Sequence, residues 1–377
     1  LISQSFNRMM AVMIKEFLQM MRDQATMGMI VGIPLIQLLL FGYAINTNPR
    51  YLPTAIVNSD NTDMSRRILA SMENSTYFRF ISPKTDEKEA RRLLKMGKIQ
   101  FVVSFPPDFT RNMIKGLHPP LLLEADATDP AATSRAVSVF SDLAYLSLNE
   151  DLQGSLNSLK PKSPPYQPQV HAIYNPLAIT AYNIVPALLG VVLTMTLVVV
   201  TALVITREHE KGTMETLLAT PLRPLEVMMG KLLPFVVVGY IQVVLILLMA
   251  KFLFSVPIAG SLPLLLLFTL PFIVANLTVG LTFSTLATNQ LQAAQSSMFF
   301  FLPSILLSGF MFPFRGMPEW AQWLGDLLPL SHYLIIVRGI LLKGNGFFEV
   351  WQEVIPIILF TLVVLFIGFK RYRKTLD

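Results

Sequence analysis

Two long apolar runs, residues 179–206 and 232–254, constrain this chain more than anything else in its sequence. At about 1.5 Å of rise per helical residue, each is long enough to cross a hydrocarbon core of roughly 30 Å. Further apolar stretches at 26–45, 262–287, 298–312 and 350–369 bring the expected number of spans to six. Of 377 residues 53% are hydrophobic and only 14% charged, which is too apolar for an ordinary soluble protein. The expected class is an α-helical polytopic membrane protein. Pro34 is tolerated in the first span as a kink. The run 298–312 is short for a full crossing and is interrupted by Pro303 and Gly309, so it is expected to stop partway or to join a re-entrant piece. Residues 289–296 read as a polar, uncharged inner turn.

The net charge of +6 matters less than where the basic residues lie. Arg8, Lys15 and Arg22 near the start, Arg207, Lys211, Arg223 and Lys231 between the two long runs, and Lys370, Arg371, Arg373 and Lys374 at the end mark cytoplasmic segments by the positive-inside rule. Both termini are then cytoplasmic. Between 255 and 262 there is no Lys or Arg, and before the last span only Arg315, Arg338 and Lys343, so these loops face outward. Cysteine is absent, so an outer domain must fold without disulfides. No cleavable signal peptide is expected, because the first residues are polar and amphipathic. The chain opens on Leu1, and further sequence is expected to precede it.

Four segments follow. Residues 1–25 carry Phe6, Met9, Met10, Met13, Ile14, Phe17, Leu18 and Met21 at three-four spacing, as in an amphipathic helix lying in the cytoplasmic interface or extending the first span. Residues 26–46 are the first transmembrane helix. In residues 47–178 the period changes. Short β-rich runs at 54–58, 77–81, 99–104 and 121–125 alternate with helix-like stretches at 62–73, 85–96, 107–115 and 130–151, and a Pro- and Ser-rich linker closes the segment. This reads as an inserted α/β extracytoplasmic domain, acting as an adaptor contact, an exit gate or a plain cap. Residues 179–377 hold transmembrane helices 2–6, with 316–345 expected as a helix at the outer interface because Trp320, Trp323, Leu324, Leu327 and Leu328 share one face.

Between the two long runs lies the polar stretch 207–231. A brief helix starts near Thr213, runs through Leu217 and Leu218 and stops before Pro221, and Pro224 suits the first turn of the next helix. Spacing alone fits an ordinary solvated loop as well. Its sequence R-E-H-E-K-G-T-M-E-T-L-L-A-T-P-L resembles the signature loop of type-2 ATP-binding-cassette exporter permeases, in which Glu, Gly-Thr, Leu and a Thr/Ser-Pro pair recur between the second and third spans. G-F-M-F-P-F-R-G-M-P-E-W, L-P-L-S-H-Y and R-G-I-L-L-K-G resemble that family's segment between spans five and six. Y-N-P followed by V-P-A-L-L-G resembles the entry to span two, with Ala187 where the resemblance implies glycine. Drug-efflux-like members with a large external domain are the nearest in layout.

The resemblance implies a coupling helix that docks into a separate ATPase subunit, with Glu208, Glu210, Gly212, Thr213, Glu215, Leu217, Leu218 and Pro221 as docking residues. It also implies a connecting helix carrying Phe6, Met10, Met13 and Phe17 that shares this surface. It further implies ATP and Mg on the partner rather than on this chain, a second permease chain, identical or a paralogue, and a bacterial inner-membrane location. A periplasmic adaptor and an outer-membrane channel are further expected partners, and nucleic acid is not.

No cofactor or metal is expected on this chain. Gly97-Lys98 and Gly230-Lys231 lack the remainder of a phosphate-binding loop, His118, His171, His209 and His332 lack ligand spacing, and no catalytic constellation stands out. The predicted span cores hold neutral polar groups, among them Asn183, Gln242, Asn276 and Thr282, that either line a path or bond across helices. The expected function is a transport subunit, not an enzyme, that exports a hydrophobic or amphipathic substrate. A polysaccharide–lipid conjugate as cargo, or a membrane-anchored interaction protein, are the alternatives.

Overall fold

Helix α1 (Ile2–Arg22) is followed at once by α2 (Gln24–Met27), a π-turn at Gly28–Gly32 and α3 (Ile33–Ala44). The π-turn has a cause in the sequence. Pro34 has no N–H to give the carbonyl of Ile30, and the Ile33 N–H reaches back to Gly28 O instead. The computed structural model describes residues 2–44, 49–82, 86–126, 130–146, 175, 179–210 and 224–372. They divide into two units, Leu1–Ile45 with Ile173–Asp377, and Asn46–Ala172.

In the second unit β1 (Leu52–Asn58), α4 (Asp63–Asn74), β2 (Phe78–Ser82), α5 (Glu87–Lys95), β3 (Phe101–Phe105), α6 (Phe109–Ile114), β4 (Leu122–Ala125) and α7 (Pro130–Leu146) alternate along the chain. The strands form one sheet in the order β2-β1-β3-β4. β1 runs parallel to β2 and β3, with Thr54 opposite Phe101 and Asn58 opposite Phe105, and β4 is antiparallel to β3. Both faces are covered, which is why the strands read as nearly continuous apolar runs. Phe78, Phe101 and Phe105 pack with Ile68 and Met72 of α4 and Ala136 of α7, while Ala55 and Val102 meet Ala90 of α5. Helix α4 is fixed by a capping box between Thr62 and Ser65.

The first unit continues with α8 (Thr180–Glu210), α9 (Pro224–Phe252), α10 (Leu262–Leu286), α11 (Gln290–Leu307), a 3-10 turn at Phe314–Gly316, α12 (Glu319–Asp326), α13 (Pro329–Arg338), a π-turn at Gly339–Lys343 and α14 (Phe347–Tyr372). The Asn175 side chain exchanges hydrogen bonds with the backbone of Ile179 and so starts α8. Helix α8 is the core of the unit, buried without a break from Ile184 to Thr194. It is approached closely at Gly280 of α10, where a Cβ would lie 2.8 Å from Val198 O and 2.9 Å from Thr201 Cβ. Tyr333 of α13 stacks on Phe272 of α10 at 3.9 Å, and its hydroxyl pairs with Thr269 at 2.8 Å.

The span count differs from the six expected. Among the described residues, Thr180–Glu210, Met229–Phe252, Leu262–Leu286 and Phe347–Gly368 are long and apolar enough to cross alone. A fifth counts only if Glu319–Asp326 and Pro329–Lys343, bent by 84°, are one broken span. The first apolar helix, Gly28–Tyr43, is shorter, about 24 Å. Residues 316–345 are not the single interfacial helix expected: α12 leaves Trp320 and Trp323 exposed, but α13 turns inward and buries Leu330, Tyr333, Leu334 and Val337. The inner turn expected at 289–296 is helical from Gln290, because Asn289 caps the Gln292 N–H at 2.8 Å.

Candidate functional site

Helix α1 lies on α9. Gly230 makes this approach possible, since a Cβ there would sit 2.8 Å from the Cβ of Val12 and 3.1 Å from the carbonyl of Met9. Val12, Glu16 and Met20, four residues apart, form the buried face of α1. Met10, Met13 and Phe17 are half-buried beside it, and the Phe6 side chain lies outside the described residues. Ile14, Leu18 and Met21 of the same predicted stripe are exposed. The apolar stripe is thus divided between packing inside the chain and an outward face.

The end of α8 is fastened at three places by three nearly consecutive residues. Arg207 Nη1 donates to Asp23 Oδ2 at 3.1 Å, just past the end of α1. Glu208, only 8% exposed, forms an ion pair with Lys231 in α9, itself 5% exposed. The Glu210 carboxylate accepts the backbone N–H of Gln290 at 2.7 Å and also its side-chain amide, so α8 is tied to the first turn of α11. Glu16, paired with Lys15 at 2.9 Å, completes a charged wall around a cavity of about 370 Å³ whose apolar side is Met20, Val204, Pro234 and Phe235. Glu16, Glu208 and Lys231 are the buried charges of this group, and each persists because a counter-charge is in place.

Of the expected docking residues, Glu208 therefore turns inward and Glu210 sits exposed against α11. Gly212, Thr213, Glu215, Leu217, Leu218 and Pro221 lie outside the described residues. Pro224 opens α9. In the sequence Arg207 and Lys231 read only as orientation signals, and nothing in their spacing pairs them with an acid. Asp23, the last charge before the first apolar run, and Glu16, the other acid of residues 1–25, are the available clues.

The four candidate path residues do not converge. Asn183 is exposed near the start of α8. Gln242 Nε2 donates to Ile30 O at 2.6 Å, the carbonyl that Pro34 leaves without its helical partner. Asn276 Nδ2 donates to Phe272 O at 2.8 Å, and the Thr282 hydroxyl to Thr278 O at 2.9 Å with Val364 O beyond it. Three of them serve backbone carbonyls in the packed helices. His332, which lacks ligand spacing in the sequence, and Arg338, which reads there as a loop cation, both lie in the bent pair: His332 meets Glu353 of the last long helix at 2.7 Å, and Arg338 Nη1 donates to Gly309 O at 3.2 Å.

A family model described as "ABC-2 family transporter protein" matches residues 25–370, from just after α1 to the end of the last apolar run. The chain belongs to the ABC-2 transporter family. This ABC-2 chain is 30% identical to "Probable multidrug ABC transporter permease YbhS" of Escherichia coli, over 99% of its own length and 98% of that protein. It is 27% identical to "Probable multidrug ABC transporter permease YbhR" of the same organism over 98% and 99% of the two chains. To the "Inner membrane transport permease YhhJ", again from Escherichia coli, it is 28% identical over 96% of each. The ABC-2 assignment and the apolar helices together make it a multi-pass membrane protein.

Proposed function

We propose that this chain is the membrane-spanning permease subunit of an ATP-driven exporter, and that it moves a hydrophobic or amphipathic, drug-like or lipid-like molecule outward from the cytoplasm or the inner leaflet. Family membership over nearly the whole chain and the names of the relatives support the class. The observation that carries the mechanism is the fastening of the α8 end to the junction of α1 and α2, to α9 and to α11. In this reading a push delivered at residues 211–223 reaches all three places through the end of α8. In this reading a separate ATPase, loaded with ATP and Mg, docks on that loop through Leu217, Leu218 and the acidic residues beside them, and on the exposed side of α1. Two permease chains pair.

The same reading takes Gly28–Tyr43, α8, α9, α10, α11 and α14 as the six crossings, with the bent pair re-entrant on the outer side. Support for α11 as a crossing comes from its two ends. Its start is bonded to Glu210 at the loop, and Gly309 just beyond its end accepts from Arg338 of the bent pair, which packs on Gly190 in the first third of α8. The loop and both termini are then cytoplasmic, and the α/β unit extracytoplasmic, where it meets an adaptor or gates the exit.

Co-purification tests the reading: an ATPase subunit comes down with the full-length chain, and its ATP turnover responds to amphipathic cargo in proteoliposomes. Leu217→Asp leaves the permease in the membrane but removes the cargo response of ATP turnover, because a buried apolar anchor carries more of an interface than exposed charges do. Retention of both assembly and response in that variant excludes the docking role.

A further inference from the structure

The imidazole of His332, 9% exposed, lies between two acceptors. Its Nδ1 is 2.7 Å from Oε2 of Glu353 in α14, and its Nε2 is 2.8 Å from the backbone carbonyl of Asp326 at the end of α12. A carbonyl only accepts, so Nε2 carries a hydrogen. Glu353 keeps 30% of its side chain exposed, and a carboxylate only accepts, so where the two groups meet as an ion pair Nδ1 also carries a hydrogen. A neutral ring has one N–H, and this geometry uses two. We propose that His332 and Glu353 form a proton-binding site that fastens the bent helix pair to the last long helix.

The surroundings leave these two groups in charge of the site. On α14 the other acid, Glu349, accepts the Gly346 N–H at 2.9 Å. On α12 the acids are Asp326 and Glu319, and on the bent pair itself the cations are Arg338, directed at Gly309 O, and Lys343. The other helices packed on α13 offer no Asp, Glu, Lys or Arg over residues 180–206, 262–286 and 290–307. The contact of Leu330, Tyr333 and Leu334 with Gly190 places the clasp toward the start of α8, away from its fastened end. When the proton leaves, one of the two contacts loses its hydrogen and the tie between α13 and α14 weakens. The far end of the permease thereby responds to pH. That this end faces outward rests on the proposed function; the proton site does not.

The test uses the full-length permease in detergent micelles, without an ATPase. Glu353→Gln is the informative variant, because its amide donates to Nδ1 of a neutral ring and satisfies both contacts without the extra proton. The wild-type melting temperature is expected to fall by about 3 °C between pH 6 and pH 8.5, and that fall is expected to disappear in Glu353→Gln. A wild type with no such fall, or a Glu353→Gln variant that keeps it, overturns the proposal. Imidazole nitrogen NMR on histidine-labelled protein gives a second measurement that needs no stable variant at the acid. The resonance missing from His332→Gln should show both nitrogens protonated at pH 6, and a neutral ring there overturns the proposal equally.

Discussion

Gln242 and Pro34 show how a single residue in a membrane helix acquires its role from a defect elsewhere. Pro34 removes the donor for Ile30 O, the helix widens into a π-turn, and a buried glutamine two helices away supplies the missing hydrogen at 2.6 Å. Without water nearby, an orphaned carbonyl costs about 1–3 kcal/mol. Gln242→Leu is expected to destabilise the permease by that amount. Pro34→Ala, which restores the backbone donor, is expected to recover most of the loss in the double variant. Chemical denaturation in mixed micelles measures the four states of this cycle, and additive effects would show that the two positions do not share the carbonyl. The kink was legible in the sequence because proline has one unavoidable consequence. The glutamine was not, because its partner is 212 residues away and is a backbone atom that no sequence displays.

At the scale of elements, the α8 end is the part whose mechanics can be broken selectively. Lys231→Met leaves Glu208 buried without its counter-charge, and loss of one partner of such a pair costs about 3–5 kcal/mol. Adding Glu208→Gln removes the uncompensated charge and is expected to restore most of the melting temperature, while the tie between α8 and α9 stays weakened. Cargo-stimulated ATP turnover in that double variant should therefore fall even though stability returns. The α/β unit offers a separate test. Burial pushes the Asp60 carboxyl up, but hydrogen bonds from the hydroxyls of Thr110 and Thr62 and from the Thr110 N–H outweigh it and hold the group below its usual range. A carboxyl lowered in the folded state stabilises above its unfolded value of about 3.9 and loses that contribution as pH falls through the folded value. Hydrogen exchange of the α4 and α6 segments should accelerate below about pH 4, and Asp60→Asn should show the faster exchange already at pH 6. Alternating strands and helices were legible here: the sequence runs 54–58 and 99–104 stand where β1 and β3 are found, since strands covered on both faces must be apolar throughout. The bent pair was not legible, because apolar α13 looks the same whether it lies on a membrane surface or packs on α8.

For the whole molecule, the division into two units sets what can be removed. The unit 46–172 has its own core of Phe78, Phe101, Phe105 and Met72, and the other unit has a core centred on α8 that draws on neither β1 nor α4. Cores that share no residue melt separately unless an interface couples them. Replacing residues 50–170 by a short Gly-Ser linker should leave a chain that inserts, retains the Glu208–Lys231 and His332–Glu353 ties, and melts within a few degrees of the full-length helical unit. If the α/β unit gates the exit or recruits an adaptor, export by this shortened chain falls sharply while cargo-stimulated ATP turnover persists, because the loop stem at Arg207, Glu208 and Glu210 is intact. Export at the full-length rate would reduce the α/β unit to a cap. A shortened chain that fails to insert would show instead that the helices need the unit to fold, and the division between the two cores would be wrong.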